Sequence, residues 1–145
     1  MSGLDIGVPE ANRVFVELAF AAQAPLAGFG CRLSCIELGR VTIAFDAAEH
    51  LTTRGTGAVM GGVIATVADV AAGLALITRL ETPGPVVTMQ MNSHFLRPAI
   101  GGTITCIGAV ERIGRGFATV SARAFHRQGD KQSELALLTA QFQIL

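Results

Sequence analysis

Tryptophan and tyrosine are absent from this 145-residue sequence, and only 15% of its residues are charged. Eleven basic residues balance eleven acidic ones, and no run of Lys or Arg forms the electrostatic footprint that nucleic acid requires. A nucleic-acid partner is therefore not expected. The opening MSGLDIGVPEANR lacks a basic stretch followed by an apolar one, so no secretory signal is read there. A cytoplasmic protein with reduced thiols is expected. Three cysteines are an odd number: Cys31 and Cys35 lie too far apart along a strand-like stretch for a tight redox pair, and Cys106 is remote in sequence. No further ligands stand close enough to complete a zinc site, so all three read as small buried hydrophobes and no metal is expected. Neither a Walker-type Gly-Lys-Ser/Thr nor a G-x-S-x-G occurs. Gly55-x-Gly57 with Gly61 lacks the spacing and the βαβ surroundings of a dinucleotide site.

What is present is apolar. Half of the residues are hydrophobic and the mean hydropathy is +0.51, which is greasy for a monomer of 15.1 kDa. Length and composition fit one domain, residues 1–145, and leave two explanations for the surplus, an oligomer or a membrane segment. Residues 57–77, GAVMGGVIATVADVAAGLALI, are about long enough to span a bilayer. Asp69 near the middle would cost roughly 2.5–3.5 kcal/mol there, and the many Gly and Ala contribute little. A helix apolar on all sides must be buried somewhere, so the segment reads as a helix inside the protein and no membrane partner is expected.

Residues 9–23 show helical spacing at Val14, Leu18 and Ala21, with Pro9 suited to a first turn, and residues 1–27 form an N-terminal helical segment. Residues 31–46 read as two strands joined near Glu37–Arg40, with Val41, Ile43 and Phe45 on one face of the second. A Thr/Gly-rich loop from His50 to Val59 leads to the buried helix, which Thr82-Pro83-Gly84-Pro85 closes. Four strand-like segments follow, at 86–97, 103–112, 115–127 and 132–144, and short Gly-containing turns predict an antiparallel meander. The fold class is α+β: a curved antiparallel sheet wrapped around a long central helix.

Asp69 is the informative residue. Its helical neighbours Ala65, Thr66, Ala72 and Gly73 are all small, which leaves room for a ligand or a second backbone. Burying a carboxylate without a partner is costly, so it is either a structural ion-pair or capping group or a functional acid. Gly61 and Gly62 open the same helix, where free N–H groups carry positive potential and can hold a carbonyl oxygen as charge develops on it. His94 shares strand parity with Thr88, Gln90 and Asn92 and is a lesser candidate. Arg97, Arg112 and Arg115 stand at strand ends and turns, where solvated arginines are usual and an anionic group could be met.

Taken together, GTGAVMGGVIATVADVAAG at residues 55–73 resembles the signature of the PaaI-like hotdog-fold acyl-CoA thioesterases. That pattern is a Gly-containing loop, then His-Gly-Gly, then an acid nine positions after the His. Val87–Ala99, with its Phe-Leu-Arg-Pro ending, resembles the family's third strand, and Gly101-Gly102, Gly114-Arg115 and Gln141–Leu145 also fit. The resemblance covers about residues 30–145 and implies the hotdog fold and hydrolysis of an acyl-CoA thioester, with CoA part of the substrate and no separate cofactor. By the same resemblance the Gly61 N–H polarises the thioester carbonyl, Asp69 acts as base or nucleophile, and Thr88 positions water. Gly62, Arg54, Met60, Arg97 and Arg115 fall at substrate-binding positions. Two residues depart from the pattern: Met60 stands where the His is usual, and Arg54 where an Asn is common. A thioether cannot make the imidazole's hydrogen bond, whereas a guanidinium can donate to a carbonyl or an anion. A non-catalytic acyl-CoA binder is thus the alternative. A hotdog dehydratase is not expected, because Gly73, Leu74 and Ile77 replace the residues it would carry after Asp69.

Gly61 and Asp69 are eight residues apart, which on one helix is ~12 Å along the axis. One thioester carbon cannot lie within ~3 Å of both. Two such helices packed antiparallel about a two-fold axis would bring Gly61 of one against Asp69 of the other. A homodimer is therefore expected, and a homotetramer is what the resemblance implies.

Overall fold

The computed structural model of the chain describes residues 7–145. Residues 1–6 of the expected N-terminal helical segment lie outside the described residues. Two helices, α1 (Glu10–Ala21) and α2 (Ala24–Gly28), precede the hairpin of β1 (Arg32–Glu37) and β2 (Arg40–Asp46). A 3₁₀ turn at Glu49–Leu51 and a loop lead to α3 (Gly61–Ile77). Strands β3 (Val86–Phe95), β4 (Thr103–Ile113), β5 (Phe117–Gln128) and β6 (Lys131–Ile144) complete the chain. All strand pairs are antiparallel, and the six form one sheet in the order β1-β2-β4-β5-β6-β3. The sheet curves around α3, which touches β2, β3, β4, β5 and β6, so the expected α+β architecture stands.

The continuous four-strand meander does not form. Only β4, β5 and β6 are consecutive neighbours; β3 crosses over and pairs with β6. The place beside β4 is taken by β2, whose Val41, Ile43 and Phe45 are fully buried as the alternation predicts. The crossover leaves β3, ten residues long, at the sheet edge with one row of backbone groups unpaired.

The sheet packs on α3 through small residues. Val67, Ala68, Ala71 and Ala75 are inaccessible to solvent, as are Ile104, Cys106 and Val120 opposite. Burial pushes the Cys31 thiol up to about 11 and that of Cys106 further still, which keeps both protonated and inert. Among the described residues, no helix is long and apolar enough to cross a membrane.

The N-terminal helix buries a different face from the expected one. Val14 and Leu18 are exposed, while Asn12 and Val16 are buried. Apolar residues lie on several sides of this short helix, so their spacing alone does not choose the face. Asn12 chooses it: its amide donates to the carbonyl oxygens of Ile77 and Leu80, at 2.8 Å each. Those carbonyls lie at and beyond the end of α3, where no intrahelical donor remains for them. Pro25 stands in the first turn of α2, where its missing N–H costs no helical bond. Replacing Asn12 with Ala leaves both buried carbonyls without the amide and is expected to cost about 2 kcal/mol in urea unfolding. A loss below 0.5 kcal/mol, on the order of a surface change, would refute this anchoring role.

Candidate active site

Helix α1 covers the C-terminal half of α3, where Ala71 through Thr78 are all buried. The N-terminal half keeps an uncovered stripe of Gly62, Ala65, Thr66, Asp69 and Val70, at the three- and four-residue spacing of one helix face. Asp69 is the one charged group on that stripe. Its Oδ1 accepts a 2.7 Å hydrogen bond from the Thr88 hydroxyl of β3. Burial raises the Asp69 pKa above the ordinary carboxylate value, and the bond from Thr88 partly offsets that rise. The pair lines a cavity of about 380 Å³ between α1, α3 and β3, with Gly73 and Phe142 in its wall.

Thr88 reaches Asp69 because of a local irregularity. A bulge at Met89 interrupts the β3–β6 register between Thr88 and Gln90. One extra residue moves all later side chains to the other face. Thr88 therefore points toward α3, whereas Gln90 and Asn92 line a shallow depression on the outer face. His94 lies on their face of the strand, not on that of Thr88, and is exposed. Its lesser standing among the candidates agrees with that exposure. Strict alternation hides the bulge, and no Gly or Pro marks it in the sequence.

At the other end of α3, Met60 is the N-cap residue, half exposed, with no side-chain capping bond. Its carbonyl accepts from the N–H groups of Val63 and Ile64. The Gly61 and Gly62 N–H groups have no acceptor among the described residues, as the first turn of a helix leaves them. The Phe95 ring lies against Gly61, where an added Cβ would come within 3.2 Å of its Cζ. Gly61, Phe95 and Arg97 share a second cavity, of about 480 Å³. It includes neither Asp69 nor Thr88, so within one subunit the two ends of the helix face separate spaces.

Arg54 stands on the loop before α3, in an open depression formed by residues 49–57. Arg115 is exposed in the β4–β5 turn. The Gly116 carbonyl of that turn bonds Ile144, and Leu145 bonds Pro85, which puts Arg115 at the start of β3. Arg97 follows the far end of the same strand, ~30 Å away by strand rise. One subunit does not gather Arg97 and Arg115 around one ligand. Among the described residues, no group of three or more His, Cys, Asp or Glu is placed to hold a metal. Gln23 was not singled out by the sequence, yet it lines the Asp69 cavity from the α1–α2 junction. A lone Gln after a helix carries no motif that would reveal this.

The thioesterase superfamily matches residues 56–133, which hold Gly61, Asp69 and Thr88. A candidate esterase of Saccharolobus solfataricus is 34% identical over 79 residues, 54% of this chain and 55% of the relative. The chain thus spans about half the length of the curated relative it matches. The crystal structure of a thioesterase family protein from Silicibacter pomeroyi superposes with a TM-score of 0.87 at 27% identity, covering 91% of this chain and 96% of that one. The E. coli PaaI protein of the phenylacetic acid degradation operon superposes with a TM-score of 0.83 over 95% of this chain and 96% of its own, and at 17% identity it shares the fold alone. Sheet order, central helix and family match agree: this chain is a hotdog-fold member of the thioesterase superfamily.

Proposed function

We propose that the protein hydrolyses an acyl-CoA thioester to the free acid and CoA, in a site shared by two subunits. Asp69 is the base that activates water, Thr88 holds that carboxylate and its water, and the Gly61 N–H of the other subunit polarises the thioester carbonyl. The observation that carries this reading is the hydrogen-bonded Asp69–Thr88 pair on the uncovered half of α3. A raised pKa suits a carboxylate that must take a proton. The unpaired N–H groups at Gly61 and Gly62 suit an oxyanion.

The second subunit follows from three features. Gly61 and Asp69 face separate cavities in one chain. The stripe around Asp69 is small enough for another helix to approach. The β3 edge is open and carries exposed Val87, Met89, Met91 and Phe95. Pairing two β3 strands antiparallel would bring the start of one beside the end of the other, and so Arg115 of one subunit toward Arg97 of its partner copy. A dimer is the minimum assembly, and a tetramer of two such dimers fits the apolar composition. Arg54, Met60, Gly62, Arg97 and Arg115 are assigned to CoA and acyl binding. Coenzyme A enters as part of the substrate, with no separate cofactor proposed. Reduced thiols at Cys31 and Cys106 suit a cytoplasmic location.

Mixing subunits tests the shared site. Gly61→Val and Asp69→Ala are each expected to be inactive in release of CoA thiol from an acyl-CoA panel. After exchange, roughly a quarter of wild-type activity returns, since half of random dimers are mixed and each holds one intact site. No recovery in a mixture shown to have exchanged would refute the shared site. Met60 favours the alternative of a non-catalytic acyl-CoA binder, because no imidazole stands at the helix entry. That alternative is upheld if wild type binds acyl-CoA but releases CoA no faster than Asp69→Ala.

A further inference from the structure

The loop before α3 gathers donors for which the described residues supply no acceptor. It is a pinned turn: the Thr53 N–H donates to the Ala58 carbonyl and the Gly57 N–H to the Thr53 carbonyl, at 2.9 Å each. The Thr56 hydroxyl accepts from the Ala58 N–H at 3.3 Å, and the Val59 N–H donates to the Ala99 carbonyl at 2.9 Å. Between these bonds the N–H groups of Arg54, Gly55 and Thr56 have no acceptor among the described residues. The backbone changes hand there, since φ is negative at Arg54 and +93° at Gly55. Such a change turns successive N–H groups toward one concave side, the arrangement that holds anions in backbone nests.

The side chains agree with the backbone. Arg54 is exposed, and its guanidinium has no hydrogen-bond or ion-pair partner among the described residues. A Cβ at Gly55 or Gly57 would meet nothing within 4 Å, so the approach to the turn is open. The depression above it has a volume of about 990 Å³, and Glu49 and His50 are its other titratable lining groups. The His50 ring is engaged by the Gly28 carbonyl at 2.8 Å, which leaves Glu49 as the lining charge that opposes an anion. From Thr56 to Gly61 the chain spans at most ~18 Å, short enough for one thioester to reach both.

Resting on the thioesterase role above, we propose that the Arg54–Thr56 turn is an oxyanion site, in which three backbone N–H groups and the Arg54 guanidinium hold a carboxylate or phosphate carried by the substrate. The carboxylate would stand at the far end of the acyl group, the phosphate in CoA. Either one offers the acceptor oxygens that a guanidinium fork and converging N–H groups require. Selection then rests on Arg54, and the Glu49 charge weakens it.

Two substrate pairs distinguish the sources. Pentanoyl-CoA lacks only the terminal carboxylate of glutaryl-CoA, and hexanoyl-pantetheine lacks the phosphates of hexanoyl-CoA together with its nucleoside. In kcat/KM, wild type is expected to favour the anionic member of one pair by about tenfold or more. Arg54→Gln is expected to lower that ratio about tenfold, and Arg54→Lys, which keeps the charge without the fork, to lower it less. Glu49→Gln is expected to raise it about twofold. A second readout needs no turnover: glutarate and adenosine bisphosphate are titrated into the isotope-labelled protein. The amide resonances of Arg54, Gly55 and Thr56 are expected to shift with one of them, and Arg54→Gln to weaken that binding about tenfold. Unchanged ratios in Arg54→Gln for both pairs, or amides unmoved by both anions, would overturn the site while leaving hydrolysis intact. Should wild type release CoA from no substrate, the thioesterase role falls, and the titration decides whether the turn binds anions. A variant lacking a cooperative thermal transition is replaced by Arg54→Met, to which the same criteria apply.

Discussion

Asp69→Asn is expected to lower the rate of CoA release by about 10²–10⁴-fold, the range for loss of a positioned general base, while making the protein more stable at pH 7. The two effects share one origin. In the folded chain burial raises the Asp69 pKa, with Thr88 opposing the rise. A carboxylate with a raised folded-state pKa contributes stability that is fully present below its unfolded value, about 3.9, and lost as pH rises through the folded one. Wherever the group is charged in the folded chain, its incomplete solvation counts against folding. The amide of Asn removes that charge and keeps an oxygen for the Thr88 hydroxyl, so the gain is up to about 1 kcal/mol once solvent screening at the half-buried site is discounted. It should shrink to nothing below pH 4, in melts taken at one protein concentration because assembly alters the melting temperature. Activity should rise along an acid limb centred above the ordinary carboxylate value, and Thr88→Val, which deletes the stabilising bond, should move that limb to higher pH. A variant that is inactive and also less stable at every pH would make Asp69 a structural residue.

Gly108→Ala is expected to be among the most destabilising single-methyl additions in the chain. Gly108 lies on β4 directly beneath α3, and a Cβ there would stand 2.4 Å from the Ala71 carbonyl oxygen and 2.6 Å from the Ala72 nitrogen. Both are helix backbone, so no side chain can swing aside and the whole helix must lift from the sheet. A cost of about 3 kcal/mol, the upper range for overpacking, is expected in urea unfolding. Gly73→Ala is the control: its new methyl meets the rim of the Phe142 ring at 3.2 Å, where a side chain can yield by tenths of an ångström. It should cost about 1 kcal/mol. Equal losses in the two variants would mean that α3 sits loosely on the sheet. Because α3 carries both Gly61 and Asp69, Gly108→Ala should also reduce activity before it unfolds the protein.

Hydropathy and spacing were enough to place α3 within a few residues, since a seventeen-residue apolar run interrupted by one acid permits few other readings. The alternation in β2 likewise emerged as a buried face, with Val41, Ile43 and Phe45 fully buried. Local pattern was weaker where a choice depended on partners. In α1 the spacing favoured Val14 and Leu18, but the buried face is the one bearing Asn12, whose amide bonds the carbonyls of Ile77 and Leu80 at and beyond the end of α3. In β3 the alternation placed His94 with Thr88, and the bulge at Met89 separated them.

The sequence by itself determined that a buried helix carries one acid and opens on two glycines, and that an antiparallel sheet surrounds it. Those features are local: they depend on residue type, spacing and the cost of leaving apolar surface or a carboxylate in the wrong medium. Only the tertiary structure decided that β3 leaves β4 for the edge beside β6, that Thr88 meets Asp69, and that α1 shuts one half of α3 and leaves the other open. Each of these is a competition between distant segments for the same backbone groups or the same apolar face, and no window of sequence contains both competitors.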